Sequence, residues 1–258
     1  MDDLAAAIAA VTREAGQLAL AHYQTDFARW EKAPGDPVSE VDLAVNKLLR
    51  ARLSALLPDA GWLSEETADR PDRLACERLW VVDPIDGTRD YIRGRPGWAV
   101  SVALVEHGRA VIGVLDAPAR DEVWLAQAGR GATLNGRALA ASTRDTLNGA
   151  RVPTDALPKM SIELTRVEKP NSIALRMAMV ADDRADLAAT LRWGHEWDIA
   201  AAALIAIEAG GLATDALGGA LVFNKPSPQA FGVITSSRGI HAAAVDWLSE
   251  RARAILGA

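Results

Sequence analysis

Residues 79–88 read Leu79-Trp80-Val81-Val82-Asp83-Pro84-Ile85-Asp86-Gly87-Thr88. The first four are apolar and read as a buried strand, which ends in a turn carrying two carboxylates three residues apart. Carboxylates this close repel one another, and a buried strand end rarely holds such a pair without a compensating cation. Hard oxygen donors suit Mg²⁺, which takes carboxylates, waters and substrate phosphate together. Gly87 lets the backbone approach a ligand closely. Thr88 opens a short helix expected over residues 88–92, whose first amides offer an anion site. One hexapeptide can thus hold metal on one side and phosphate on the other. Taken alone, the same letters also suit a capped turn whose aspartates are satisfied by backbone donors.

Outward from this turn, helical and strand patterns alternate. Toward the N-terminus, Leu4, Ile8, Val11, Ala15, Leu18 and His22 recur at helical spacing, so residues 3–23 are expected to form an amphipathic helix. Gly35-Asp36-Pro37 breaks the chain. Val41, Val45, Leu48, Leu49, Leu53 and Leu56 predict a second helix, started by Ser39 and ended by Pro58. Toward the C-terminus, residues 99–105 and 110–115, joined by Glu106-His107-Gly108-Arg109, carry a hairpin signal. Residues 122–126 and the turn Gly129-Arg130-Gly131 extend the sheet. Residues 151–169 mix strand and helix signals. Helices are expected over 172–181, over 198–209 with Gly210-Gly211 as its stop, and over 241–255. The order is mixed α/β. It predicts one compact unit of two halves. Residues 1–145 carry most of the acidic motifs; residues 146–258 carry Asp198.

Bulk composition narrows the function classes. The chain has 258 residues, 50% hydrophobic and 24% charged, an ordinary globular composition. The formal net charge of -6 argues against a nucleic-acid binder. It leaves a phosphorylated substrate open, because bound cations supply local positive charge. A single cysteine, Cys76, excludes an intramolecular disulfide and is expected to be a partly buried structural thiol. The N-terminus lacks the basic region of a signal peptide, and no uninterrupted apolar run approaches a membrane span. A cytoplasmic location is the expectation. Eight tryptophans against three phenylalanines are assigned to packing.

Further acidic motifs accompany the central turn: Asp36-Pro37-Val38-Ser39-Glu40-Val41-Asp42, then Ser64-Glu65-Glu66, then Trp197-Asp198-Ile199-Ala200-Ala201 with Glu208-Ala209-Gly210-Gly211. Each has an ordinary explanation: Ser39 as a helix start, Glu65-Glu66 as solvated surface, Asp198 as an N-cap. Their joint occurrence in this order resembles the inositol monophosphatase superfamily over nearly the whole chain, with Ser39 for threonine and Ser64 for glycine as mild departures. The resemblance implies an α/β (α+β) fold, a layered αβαβα sandwich, and a Mg²⁺-dependent phosphomonoester hydrolase. It implies that Glu65, Asp83 and the Ile85 carbonyl hold one Mg²⁺, and that Asp83, Asp86 and Asp198 hold a second. Glu65 and Asp42, through water, would serve a weaker third. Thr88 would orient the nucleophilic water, and the Gly87 and Thr88 amides would grip the phosphate. Inhibition by Li⁺ and by excess Mg²⁺ is implied as well.

The resemblance leaves the metabolite open. In inositol monophosphatases a glutamate seven residues before the tryptophan-aspartate carboxylate accepts from the inositol ring. Here that position is Leu191, preceded by Ala188, Ala189 and Thr190. The nucleotidase branch instead carries a serine–leucine–lysine segment, matched by Ser172-Ile173-Ala174-Leu175-Arg176. Arg176 in the lysine's place suits a second phosphate, although a surface arginine on a helix reads equally well. Trp193 and His195 stand where they would border an adenine, with packing the plainer role for Trp193. The Arg93-Gly94-Arg95-Pro96-Gly97-Trp98 stretch also resembles histidinol-phosphate phosphatases. The leading expectation is a 3′(2′),5′-bisphosphate nucleotidase, with an inositol-1-monophosphatase as alternative and a catalytically silent metal-binding regulator behind both. The implied partner is a small soluble phosphate monoester, without nucleic acid or membrane and with a homodimer open.

Overall fold

The computed structural model describes residues 2–153 and 163–257. The chain runs α1 (Asp2–His22), β1 (Arg29–Ala33), β2 (Asp36–Ser39), α2 (Glu40–Leu56), β3 (Gly61–Ser64), β4 (Arg78–Asp86), α3 (Thr88–Ile92), β5 (Ala99–Glu106), β6 (Arg109–Ala117), β7 (Glu122–Gln127), β8 (Ala132–Leu134) and β9 (Arg137–Ala138). It continues through β10 (Arg151–Val152), β11 (Thr165–Arg166), α4 (Ile173–Ala181), β12 (Leu187–His195), α5 (Glu196–Glu208), β13 (Leu212–Thr214), β14 (Gln229–Ser236) and α6 (His241–Leu256).

Side chains alternate across a strand, and in β4 to β6 both faces are covered. Trp80, Val82, Val100, Val102, Leu104 and Val114 pack on Ile8, Ala15 and Ala19 of α1 and on Val45, Leu49 and Leu53 of α2. Leu79, Val81, Ala103, Val105 and Leu115 pack on the opposite side against α4 and α5. Burial on both faces explains why these strands read as continuous apolar runs. They belong to a seven-stranded sheet in the order β3-β4-β5-β6-β7-β8-β9, in which β3 runs parallel to β4 and the later neighbours are antiparallel. A second antiparallel sheet, β12-β14-β13, covers the far side of α5. α6 closes that sheet, Ala244 and Leu248 clustering with Leu187, Ala189 and Ile234. The layers are helix, sheet, helix, sheet, helix, as the resemblance implied.

α5 lies between the two sheets, and residues 199–206 are all buried. Its small side chains let it approach β6, where a Cβ on Gly113 would stand 2.8 Å from the Ala201 carbonyl oxygen. The predicted helices and hairpin are present, with differences at their ends. α5 begins at Glu196, two residues before the expected start. β4 continues through the acidic turn to Asp86, with a register shift between Asp83 and Asp86. The β1–β2 hairpin replaces a simple chain break; all five β1 residues are exposed and give no hydrophobic alternation. β10 and β11 pair in parallel, while residues 154–162 of the ambiguous 151–169 stretch lie outside the described residues. By length and composition Asp3–His22 is apolar enough to cross a membrane; here its Ile8, Ala15 and Ala19 are fully buried in the core.

Candidate active site

β4 carries Asp83 and Asp86 to one end of the large sheet, and the first turn of α5 carries Asp198 to the same place. One oxygen from each of the three carboxylates lies within 4.8 Å of the others. Each carboxylate is oriented by donors. Asp83 Oδ1 accepts from the Ile85 amide at 3.0 Å. Asp86 Oδ2 accepts from Ser172 Oγ at 2.5 Å and from the Ala174 amide at 2.8 Å. Asp198 Oδ2 accepts from the His195 amide at 2.7 Å. That bond corrects the N-cap reading of Asp198: the cap position belongs to His195, and Asp198 sits three residues into the helix.

Burial and mutual repulsion load this cluster. Burial first, then Glu65, Asp86 and Asp198, push Asp83 well above the usual carboxylate range. Burial and then Asp86 do the same to Asp198. Burial raises Asp86 to about 6, with the Ser172 and Ala174 hydrogen bonds opposing it. Asp83 and Asp86 are buried and Asp198 is half-buried; three acids this close cannot all ionise without a cation among them, so this donor set fits a hard divalent ion.

Asp42 and Thr88 form a second group. Asp42, 1% exposed in α2, accepts from the Ser39 amide at 2.9 Å. Burial raises it to about 6 against the Ser39 hydrogen bonds. Thr88 Oγ1 lies 2.9 Å from the Ile85 carbonyl and 3.3 Å from Asp42 Oδ1. The Ile85 carbonyl thus stands beside both the acidic turn and the threonine. Glu65 stands apart from the triad: Lys32 Nζ donates to Glu65 Oε1 at 2.8 Å and to Glu66 Oε1 at 2.7 Å. Glu66 is not surface: its side chain is 6% exposed, and burial raises it to about 7. Lys32 and Ser172's bond to Asp86 escape sequence reading, because the partners are 33 and 86 positions away.

A cavity of about 960 Å³ opens beside the triad, with Asp86, Gly87 and Asp198 on one wall and Arg176, Leu191 and Trp193 among the others. Gly87 holds φ at +95°, and a Cβ there would stand 2.6 Å from the Gly97 carbonyl oxygen. Only glycine meets both demands. Arg176 donates to the Pro170 carbonyl at 2.7 Å and the Asn171 carbonyl at 2.8 Å, which fixes its guanidinium at the cavity's edge. The His195 ring stacks on Trp197 at 4.3 Å, so one of its faces is occupied. Trp193 is 60% exposed and among the described residues meets one aromatic ring, Phe231, edge-on at 5.3 Å.

A model of the inositol monophosphatase family matches residues 1–255. Inositol monophosphatase 2 of Solanum lycopersicum is 34% identical over 201 residues, covering 71% of this chain and 76% of the relative. A Thermotoga maritima protein named fructose-1,6-bisphosphatase/inositol-1-monophosphatase is 32% identical over 212 residues, covering 79% and 81%. The solved structure of a Thermotoga maritima IMPase superposes with a TM-score of 0.84 at 30% identity, over 99% of this chain and 100% of that one.

Proposed function

This chain belongs to the inositol monophosphatase family of metal-dependent phosphatases, and on that premise we propose that it uses Mg²⁺ to hydrolyse a small metabolite carrying two phosphates. The observation that carries the catalytic part is the Asp83–Asp86–Asp198 cluster, whose buried charge asks for a hard cation. Asp83, Asp86 and Asp198, with the Ile85 carbonyl and Glu65, would hold two or three ions. When bound, Mg²⁺ lowers the pKa of an adjacent water and neutralises the phosphate. Glu65 would exchange Lys32 for the ion as its cationic partner.

The chain's own groups do the rest. The Thr88 hydroxyl orients the attacking water and passes a proton toward Asp42, whose Oδ1 lies 3.3 Å from it. The Gly87 and Thr88 amides hold the phosphate. A bond forms from the water oxygen to phosphorus, the ester oxygen leaves, and the alcohol gains a proton. Arg176 and the absence of a carboxylate at Leu191 favour a second phosphate over an inositol ring, so a 3′(2′),5′-bisphosphate nucleotide is the first substrate to try. A sugar bisphosphate comes next, supported by the name of the Thermotoga relative, and the name of the tomato relative supports inositol 1-phosphate as a second reading.

Phosphate release from these three substrates, with Mg²⁺ and with EDTA, tests the proposal. Activity is expected only with Mg²⁺ and greatest on a bisphosphate, with Li⁺ and excess Mg²⁺ inhibiting. Full activity in EDTA overturns the mechanism. Preference for inositol 1-phosphate overturns the substrate assignment.

A further inference from the structure

Part of the cleft wall is cationic and unpaired. Arg192 on β12 and Arg251 on α6 line the same cavity as Asp86 and Asp198. Both are exposed, and neither meets a carboxylate among the described residues. Arg73, Arg120, Arg151 and Arg184 meet acids elsewhere in the chain, whereas these two exposed guanidinium groups line the cleft without one.

β12 is irregular where it carries Arg192. Thr190 pairs with Val233 and Trp193 with Phe231, so β12 spends three steps where β14 spends two. This bulge breaks the strand's two-residue alternation. Residues 189–195 of β12, Leu191, Arg192 and Trp193 among them, all line one cavity. Opposite the bulge Gly232 holds φ at +64°, and a Cβ there would stand 2.7 Å from both the Thr190 carbonyl oxygen and the Ala216 Cβ. A larger residue does not fit beneath it, so the bulge belongs to the packing of the sheet.

We propose that Arg192 and Arg251, with Arg176 on the same cavity, form a distal anion subsite that holds a second phosphoryl group of the substrate, with the exposed Trp193 ring as platform for the moiety between the two phosphates. The inference rests on the phosphatase reading above and deepens it. A cavity of about 960 Å³ is far larger than one phosphate needs and matches the upper range of small-molecule sites. Guanidinium forks suit phosphate oxygens through paired, charge-assisted hydrogen bonds. The C-terminal helix thereby becomes part of the substrate site.

The test uses the full chain with Mg²⁺ and two substrates, adenosine 3′,5′-bisphosphate and adenosine 3′-monophosphate. Arg192→Ala and Arg251→Ala should each raise KM for the bisphosphate by roughly ten- to a hundredfold, the range of one lost charge-assisted bond. The effect on the monophosphate should be at least tenfold smaller, kcat for the bisphosphate should hold, and Arg192→Lys should recover part of the loss. Equal effects on both substrates, or none, overturn the subsite. So does a change in sedimentation mass in the double variant, which would assign the arginines to an interface between copies. Fluorescence titration with the bisphosphate in Ca²⁺ supplies a Kd that does not depend on turnover. Weakening in the variants supports the subsite even where wild-type turnover fails, and an unchanged Kd overturns it. Absence of phosphate release from both substrates instead counts against the functional reading.

Discussion

Thr88 has one proton and two acceptors in reach, the Ile85 carbonyl and Asp42. It can therefore reorient as charge develops without any movement of the backbone. Thr88→Ala should lower kcat by about a hundredfold or more while leaving Mg²⁺ affinity nearly unchanged, because the hydroxyl is proposed to position water and not to hold metal. Thr88→Ser should retain most activity. Single-turnover rates against a Mg²⁺ titration separate the two effects; wild-type turnover in Thr88→Ala would leave the threonine a helix-start residue only. At this scale the sequence is informative where one turn carries the chemistry. Asp83, Asp86, Gly87 and Thr88 are adjacent, and their conflict of charge is visible in the letters. The bond from Ser172 to Asp86 and the bridge from Lys32 to Glu65 and Glu66 exist only after folding. Nothing local distinguishes that serine from any helix cap, or that lysine from any charged strand residue.

Two element contacts decide how the site is held. The first is α5 against β6. Gly113→Ala would drive a Cβ to 2.8 Å from the Ala201 carbonyl and lift the helix that bears Asp198. A loss of about 1–3 kcal/mol is expected for overpacking, together with weaker Mg²⁺ affinity; a melt combined with a Mg²⁺ titration reads both. The second is α1 against β6, where a Cβ on Gly16 would collide with Asp116 Oδ2. Asp116 is 3% exposed, its Oδ2 meets no donor among the described residues, and burial raises it to about 7. The folded chain therefore keeps a proton that the unfolded chain releases, and stability falls as pH rises from about 4 to about 7. Asp116→Asn should flatten that slope, matching wild type near pH 4 and exceeding it at pH 8 by on the order of 1–2 kcal/mol, or about 2–4 °C in Tm per kcal/mol. Parallel Tm–pH curves would contradict this. Helices with a clear stripe, such as α1 and α2, are legible in the sequence. The β1–β2 hairpin is not, because β1 is exposed along its whole length and only the end of β2 is buried, which leaves no alternation to read.

Across the whole molecule, the triad exists only when β4 and α5 are docked, and α5 docks between both sheets. A cation held by all three carboxylates binds the folded chain and not the unfolded one. Mg²⁺ at about a hundredfold over its Kd should then add about 2.7 kcal/mol, or roughly 5–10 °C in Tm for a chain of this size. Scanning calorimetry in Mg²⁺, and in EDTA at matched ionic strength, measures the shift; coincident melts would rule out the proposed ion site. The layered order is legible because continuous apolar strands demand cover on both faces. The cationic cleft wall is not, because it joins a bulge in β12 to the last helix. The tryptophans extend this picture to light. Trp80, Trp98 and Trp124 are fully buried, and their indole N–H groups meet no acceptor among the described residues. Trp193 stands at the cleft and Trp30 on the exposed β1 strand. Emission should therefore divide into a short-wavelength part that acrylamide cannot reach and a long-wavelength part that it quenches. Only the second should answer to a substrate entering the cleft, and Trp193→Phe should silence that answer while the buried signal still reports unfolding.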